Sequence, residues 1–385
     1  MNERGTGVLE QYGLDVQRTC RTRGAVLCET SQGLKLLKEW TGSDKRIQLE
    51  YEVLSALGEE TGLQVDCCMK NLEGNLVSVD EDQSRYVLRN WYEGRECNTR
   101  EVGEILTAAE LLARLHRGLR KLELEHVLDR KREESILEER EKRKRMADRM
   151  REEAEAAEAE AGIDAGAEAK AASLYEFSEE PEEAELPSDT SCQSPECLSE
   201  LLGRHNRELR RTRAYVKGRK RKTDFELVVI GGFEKFYRQA EEAAALSEQL
   251  EAMPDIWWCH GEYSHHHVLL GGRTRAVTDF SRMRRDIQVS DLYYFTRKIL
   301  EKHRWNLNLG RQILDVYAES LPLSHEEWQY LYILFLYPEK YWKQINYYVN
   351  SNKAWIPARN VDKLKVLENQ FEPREQFLEE LRERL

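Results

Sequence analysis

The stretch WWCHGEYSHHHVLLGGRTRAVTDFSRMRRDIQVSDLYYF, residues 257–295, decides how the rest of the chain is read. Two apolar-led runs, HVLL and RAVTDF, are joined by Gly271-Gly272, and a run, a glycine turn and a second run is a hairpin signal. A loop carrying the carboxylate of Glu262 precedes the hairpin and a second carboxylate, Asp279, ends it. The two can converge at the hairpin's mouth. Phosphoryl transfer needs such a pair, one carboxylate to orient a hydroxyl and one to ligate a divalent cation that bridges phosphates. It also needs an upstream lysine on the phosphates and a helix glutamate to position that lysine. Lys38 and Glu50 stand in that order. Lys35 competes with Lys38, but an alternating strand puts the two on opposite faces, so only one can point inward.

Working outward, residues 13–40 read as short strands, with GAVLCET and GLKLLKEW turning at Ser31-Gln32-Gly33. Residues 44–58 follow helical spacing through Ile47, Tyr51, Leu54 and Leu57, with Gly58 as the expected stop. NLVSVDE and SRYVLRNWY read as two further strands, and Asn98-Thr99 caps a helix over about 100–120. From Arg130 to Ala161 the chain is almost wholly Glu, Arg, Lys and Ala, with Glu138–Lys142, Glu139–Arg143 and Glu141–Arg145 at i,i+4. Residues 160–200 are acidic, Pro- and Ser-bearing and poor in large apolar side chains, which predicts disorder. The basic run 204–222 returns as a helix, so the expected insert is 125–222, paired as an antiparallel hairpin. Six of the eight tryptophans lie at or after Trp257, which puts a second core there, with helices over 288–303, 308–320, 325–336 and 338–351 and a last one near 358–383.

The chain has 385 residues, a formal charge of −12 and 34% charged residues. No run has the apolar length of a membrane span, and the N-terminus has no signal-like apolar region, so a cytosolic protein is expected. The eight cysteines are scattered without paired CxxC units and read as reduced thiols. An acidic chain argues against nucleic acid as a partner of the 204–222 run. His260 with His265, His266 and His267 could hold a transition metal. Neighbours entering a strand alternate sides, however, which favours ordinary loop histidines. Trp328, Tyr332, Phe335 and Leu336 recur at helical spacing and read as core. Tyr341, Trp342, Tyr347, Tyr348 and Trp355 read as mixed packing and groove residues.

RKTDFE at 221–226, HGEYSHHHVLL at 260–270, VSDLYYFTRKILEKHRWNLNLG at 289–310 and YPEKYWKQINYYVNSNKAWIPARNVDKL at 337–364 together carry a resemblance. Over 13–120 and 205–370 the chain resembles the CotS-type spore coat proteins, a branch of the aminoglycoside/choline phosphotransferase group. The resemblance implies an α+β, bilobal protein-kinase-like fold. Residues 1–95 would form the small lobe with its antiparallel sheet and helix. Residues 96–124 and 223–385 would form a mainly helical large lobe, interrupted by the charged insert at 125–222. It implies that Lys38 holds phosphates with Glu50 as its partner, and that the strand at 86–97, with Leu88, Asn90 and Trp91, receives adenine. It implies His260 and Glu262 in the catalytic loop, Asp279 and position 267 on the metal, and Asp291 as a structural anchor.

Two positions depart from the family pattern. Glu262 stands where the family has aspartate, and His267 where it has a metal-binding asparagine. An added methylene moves the carboxylate by about an ångström, a displacement that can cost about a hundredfold in rate. An imidazole in place of an amide oxygen weakens a Mg²⁺ position. Slow or absent transfer is therefore expected, with ATP and Mg²⁺ contacts possible. The first functional expectation is a coat-associated assembly component, made in the mother cell and placed in the spore coat with other coat proteins as partners. The alternatives are an ATP-dependent phosphotransferase acting on a small molecule or polysaccharide, and a nucleotide-sensing pseudokinase.

Overall fold

The computed structural model of the chain describes residues 6–22, 24–133, 197–350 and 358–385, with 137, 141–142, 145–146 and 149 inside the charged stretch. The small lobe is built on an antiparallel sheet of β1 (Val16–Thr22), β2 (Ala25–Thr30), β3 (Gly33–Glu39), β6 (Arg85–Asn90) and β5 (Ser78–Val79), in that spatial order. The β2–β3 turn closes where expected. Gly33 adopts φ +88°, and the Thr30 hydroxyl donates to the Gly33 carbonyl at 2.7 Å. β3 alternates, so Leu37 faces an outer cluster with Val8, Leu9, Tyr12, Val26 and Leu88. The opposite face carries Lys38, level with Val87, which packs against Ile47 of α1 (Asp44–Thr61). Ser43 caps α1 at its start. Gly58 does not end this helix. It continues to Thr61 and stops at Gly62, whose φ of +66° suits the left-handed cap.

The lobes are joined by backbone. β4 (Gln64–Val65) pairs in parallel with β10 (Thr274–Val277), which pairs with β9 (Val268–Gly271), and β9 pairs with β7 (Arg95–Glu96). The predicted hairpin is thus present and lies in a four-stranded sheet together with two small-lobe segments. β8 (Trp257–Cys259) pairs with β11 (Arg284–Asp286) beside it.

The large lobe contains α2 (Val102–Leu124), α3 (Leu198–Gly218), α4 (Asp224–Glu248), α5 (Val289–Lys302), α6 (Leu307–Ser320), α7 (His325–Leu336), α8 (Glu339–Asn350), α9 (Ala358–Asn369) and α10 (Phe371–Arg382). Capping boxes start α4 at Thr223 and α7 at Ser324, each closed by a glutamate three residues on. The expected stripe is core, with Tyr332, Phe335 and Leu336 buried. The single last helix expected over 358–383 is two helices, broken at Gln370.

The insert boundary at 222 is corrected. α3 buries Leu198, Leu202, Leu209 and Val216 against α4 and α8, so the returning basic helix is part of the large lobe. Its buried face runs through Leu198, Leu202, His205, Leu209, Thr212 and Val216 at three- to four-residue spacing, and the polar members of that face together with the arginines mask it in the sequence. Leu122–Cys192 separates from the rest of the chain as a unit of its own. Among its described residues, Arg145 and Glu141 form the expected i,i+4 pair at 3.3 Å. Most of the segment expected to be disordered, residues 160–196, lies outside the described residues. The described cysteines are free thiols, and no described helix is long and apolar enough to cross a membrane.

Candidate active site

The loop at 260–263 is held from below by one carboxylate. Asp291, in the first turn of α5, accepts the backbone N–H of His260 at 2.8 Å and of Gly261 at 3.0 Å, and faces His116 Nε2 at 3.3 Å. Burial would raise the Asp291 pKa, but the hydrogen bond and charge of His116 bring it below the usual range. Gly261 sits at φ +83°, and a Cβ there would lie 2.0 Å from the Arg282 carbonyl oxygen, so only glycine fits. His260 is fully buried. Its Nε2–H donates to the Thr278 carbonyl at 3.0 Å, and Nδ1 accepts the Glu262 N–H at 3.3 Å. Burial depresses its pKa to about 4, which keeps the ring neutral in that tautomer near pH 7. The expectation of a catalytic His260 is therefore corrected. Both ring nitrogens are committed to backbone, and the residue is a scaffold that ties the loop to Thr278, the residue before Asp279.

Asp279 lies two residues past β10 in the left-handed region, at φ 62° and ψ 66°. That conformation is costly for a non-glycine residue and persists only where its surroundings over-determine it. Its N–H donates to Asp66 Oδ2 at 2.9 Å, its Oδ1 meets Lys38 Nζ at 3.4 Å, and its Oδ2 faces His267 Nε2 at 3.8 Å. Partial burial opposes the charge, but the Ser281 hydrogen bond together with Lys38 and His267 lowers its pKa to about 2. Lys38 and Asp279, 241 positions apart, thus meet between the small-lobe sheet and the end of the 268–277 hairpin.

Glu50 does not serve Lys38. It is buried on α1 and its Oε1 accepts Arg89 Nη1 at 2.5 Å. Arg89 lies on the Lys38 face of the sheet and also donates to the Asp66 carbonyl at 3.2 Å. The same guanidinium lies 3.8 Å from the Asp66 carboxylate. Burial pushes the Asp66 pKa up to about 7 against the pull of Arg89. A buried Glu50–Arg89–Asp66 chain therefore runs from α1 to the backbone of Asp279. Neither Arg89 nor Asp66 was singled out from the sequence. The one available signal was an arginine inside the apolar run YVLRNWY, which a buried strand tolerates only when it is paired.

The adenine-side residues are partly corrected. Leu88 points into the outer cluster, away from Lys38, and its carbonyl accepts Met69 N–H at 2.8 Å. Asn90 shares that outer face and its side chain accepts Lys35 Nζ at 2.8 Å. That bond places the competing lysine, Lys35, on the outer face. Trp91 follows the strand and its N–H donates to the Leu34 carbonyl at 3.0 Å. Strand alternation explains the error, because the residues on the Lys38 face of the strand are Val87 and Arg89.

Glu262 lies at the edge, its side chain 53% exposed, with Arg282 Nε at 4.0 Å. His267 Nδ1–H donates to the Glu262 carbonyl at 2.9 Å, which leaves Nε2 toward Asp279. The neighbouring histidines go elsewhere, His265 to Lys302 and His266 to Glu96. No described cluster of three His, Cys, Asp or Glu could hold a metal by itself.

An aminoglycoside phosphotransferase from Alicyclobacillus acidocaldarius superposes with a TM-score of 0.73, covering 100% of this chain and 97% of its own at 15% identity. The fold is that of the kinase-like phosphotransferases. An AMP-bound spectinomycin phosphotransferase superposes at 0.55, with 10% identity and coverage of 96% and 94%. The amicoumacin kinase complex with AMP-PNP and Ca²⁺ gives 0.51, with 12% identity and coverage of 97% and 94%. No family model and no curated protein sequence matches the chain.

Proposed function

We propose that this protein is a nucleotide-dependent phosphotransferase acting on a hydroxyl of a small molecule. The observation that supports it is Lys38 meeting the ionised carboxylate of Asp279 across the cleft, with Asp279 held in a left-handed conformation from three sides. The donor set suits a nucleotide-bound divalent cation, which takes few protein ligands and completes its shell with phosphate and water. Asp279 would hold it through oxygen, and His267 would offer Nε2. Such an ion would neutralise charge on the phosphoryl group in transfer. Lys38, 37% exposed at its side chain, is placed to leave Asp279 for a phosphate oxygen. Glu262 is the base that accepts the proton of the attacking hydroxyl, and its exposed carboxylate is open to an acceptor.

The longer Glu262 and the imidazole at 267 favour one competing reading, nucleotide binding without turnover. Coat assembly, with other coat proteins as partners, rests on the sequence resemblance alone. The test is thermal shift with AMP-PNP, with and without Mg²⁺ or Mn²⁺, followed by ADP release. A stabilising shift that grows with metal and is lost in Asp279→Ala is expected. No shift at millimolar nucleotide would remove both the phosphotransferase and the sensing readings. A shift without ADP release on any acceptor would leave sensing.

A further inference from the structure

In a kinase-like site the strand lysine is ordinarily steadied by a glutamate of the helix that follows. Lys38 and Glu50 make no such pair. Glu50 Oε1 accepts Arg89 Nη1 at 2.5 Å, and the ion-pair partner of Lys38 is Asp279 at 3.4 Å. Arg89 stands opposite Leu36 in the β3–β6 ladder, while Lys38, two residues on, stands opposite Val87. Arg89 therefore shares the Lys38 face of the sheet and intercepts the helix glutamate. The same guanidinium donates to the Asp66 carbonyl at 3.2 Å and lies 3.8 Å from the Asp66 carboxylate. Asp66 Oδ2 in turn accepts the Asp279 N–H at 2.9 Å.

Glu50, Asp66 and Arg89 are 0%, 2% and 3% exposed, so the whole group is dry. As a source of stability it is a poor one. Buried charges lose hydration that apolar side chains of similar volume would not, and Glu50 Oε2 and Asp66 Oδ1 have no hydrogen-bond partner among the described residues. What the group supplies is direction. Asp279 sits at φ 62°, a conformation that a non-glycine residue keeps only when it is held. Its amide is the atom that Asp66 holds. Releasing that amide lets the backbone relax and swings the carboxylate away from Lys38 and His267.

Resting on the phosphotransferase reading, we infer that Arg89 and Asp66 are positioning residues for the cation-binding carboxylate of Asp279, and that α1 acts through them on the cation rather than through Lys38 on the phosphates. Lys38 holds phosphate independently of the helix glutamate.

The full chain is first tested for an AMP-PNP thermal shift that grows with Mn²⁺. Its absence would sink the phosphotransferase reading, and this inference with it. With the shift present, two quantities are measured: the Mn²⁺ concentration that gives half the shift at saturating AMP-PNP, and the AMP-PNP affinity at saturating Mn²⁺. Melting without nucleotide reports folding separately. Asp66→Ala should raise the Mn²⁺ half-point by about tenfold or more, the cost of losing a partner that orients a metal ligand. Arg89→Lys and Glu50→Gln should raise it less, and in all three saturating Mn²⁺ should recover the AMP-PNP affinity. Asp66→Asn keeps an oxygen for the Asp279 amide and should stay within about threefold of wild type, whereas Lys38→Ala should lose about tenfold in AMP-PNP affinity that no Mn²⁺ concentration recovers. Should Asp66→Ala fail to fold, Arg89→Lys carries the comparison. Three outcomes overturn the inference and leave the phosphotransferase reading standing. One is a lowered melt with an unmoved Mn²⁺ half-point, which is a structural role only. Another is a loss in Asp66→Asn of tenfold or more. The third is a loss of AMP-PNP affinity in Glu50→Gln or Arg89→Lys that persists at saturating Mn²⁺, which would return the helix to the lysine.

Discussion

The floor of the 260–263 loop and its rim are held very differently. On the floor, Asp291, His260 and Gly261 are fixed by backbone hydrogen bonds and by a contact that only glycine permits. On the rim, Glu262 has one ion contact at 4.0 Å and a half-exposed side chain. Glu262 and His267, the two positions that depart from the pattern the sequence resemblance implies, both lie off this floor. A scaffold whose hydrogen bonds are all made constrains its residues tightly, because each change strands a buried polar group. An exposed rim carboxylate can gain a methylene at little cost to folding. The difference teaches that altered rim chemistry is no evidence of a decayed fold.

The comparison breaks most readily at Gly261. Gly261→Ala forces a Cβ into the Arg282 carbonyl and should cost on the order of 3 kcal/mol or more, read as a large drop in the denaturation midpoint. A near-normal melt would show that the floor is as pliable as the rim. Next, Asp279→Ala should remove the metal-dependent part of nucleotide binding and lower any ADP release by about a hundredfold or more, while leaving the fold intact.

Asp66 sharpens the contrast through pH. Its folded pKa of about 7 lies above the ordinary carboxylate value, so the folded state holds more protons between about pH 4 and 7. Its contribution to stability therefore falls as pH rises through that window and is flat above it. His260, depressed to about 4, works in the opposite direction over much of the same range. The measurement is accordingly a difference. Melting temperatures of Asp66→Asn minus wild type should rise from pH 4.5 to 7.5, and a flat difference would show that Asp66 is not held in this way. The smallest effects belong to the rim. His267→Asn should shift metal preference from Mn²⁺ toward Mg²⁺ in the nucleotide shift, by several-fold. Glu262→Asp should raise ADP release if the longer side chain limits the rate, and an unchanged or lower rate would count against that account.

Much of this was legible locally. The 271–272 turn, the α1 stripe through Ile47 and Leu54 and the order Lys38, Glu262, Asp279 are carried by residue type and short-range periodicity. Two errors were of one kind. Leu88 and Asn90 were assigned to the cleft because they sit in the right strand, but which face of a strand is inner depends on what packs against it. α3 reads as insert because its charge, and the polar His205, Asn206 and Thr212 on its buried face, hide a stripe that only a neighbouring lobe gives a use.

The sequence by itself determined the elements, their order and the residue types available for phosphoryl transfer, because turn chemistry and periodicity act over a few residues. The tertiary structure decided the partners. Glu50 chooses between Lys38 and Arg89, and Asp66 reaches the Asp279 amide 213 positions away, only once the sheet and α1 have been packed together. Buried charges settle on the nearest counter-charge because leaving one unpaired costs more than any local preference supplies. That choice is made by distances across the fold, which spacing along the chain does not encode.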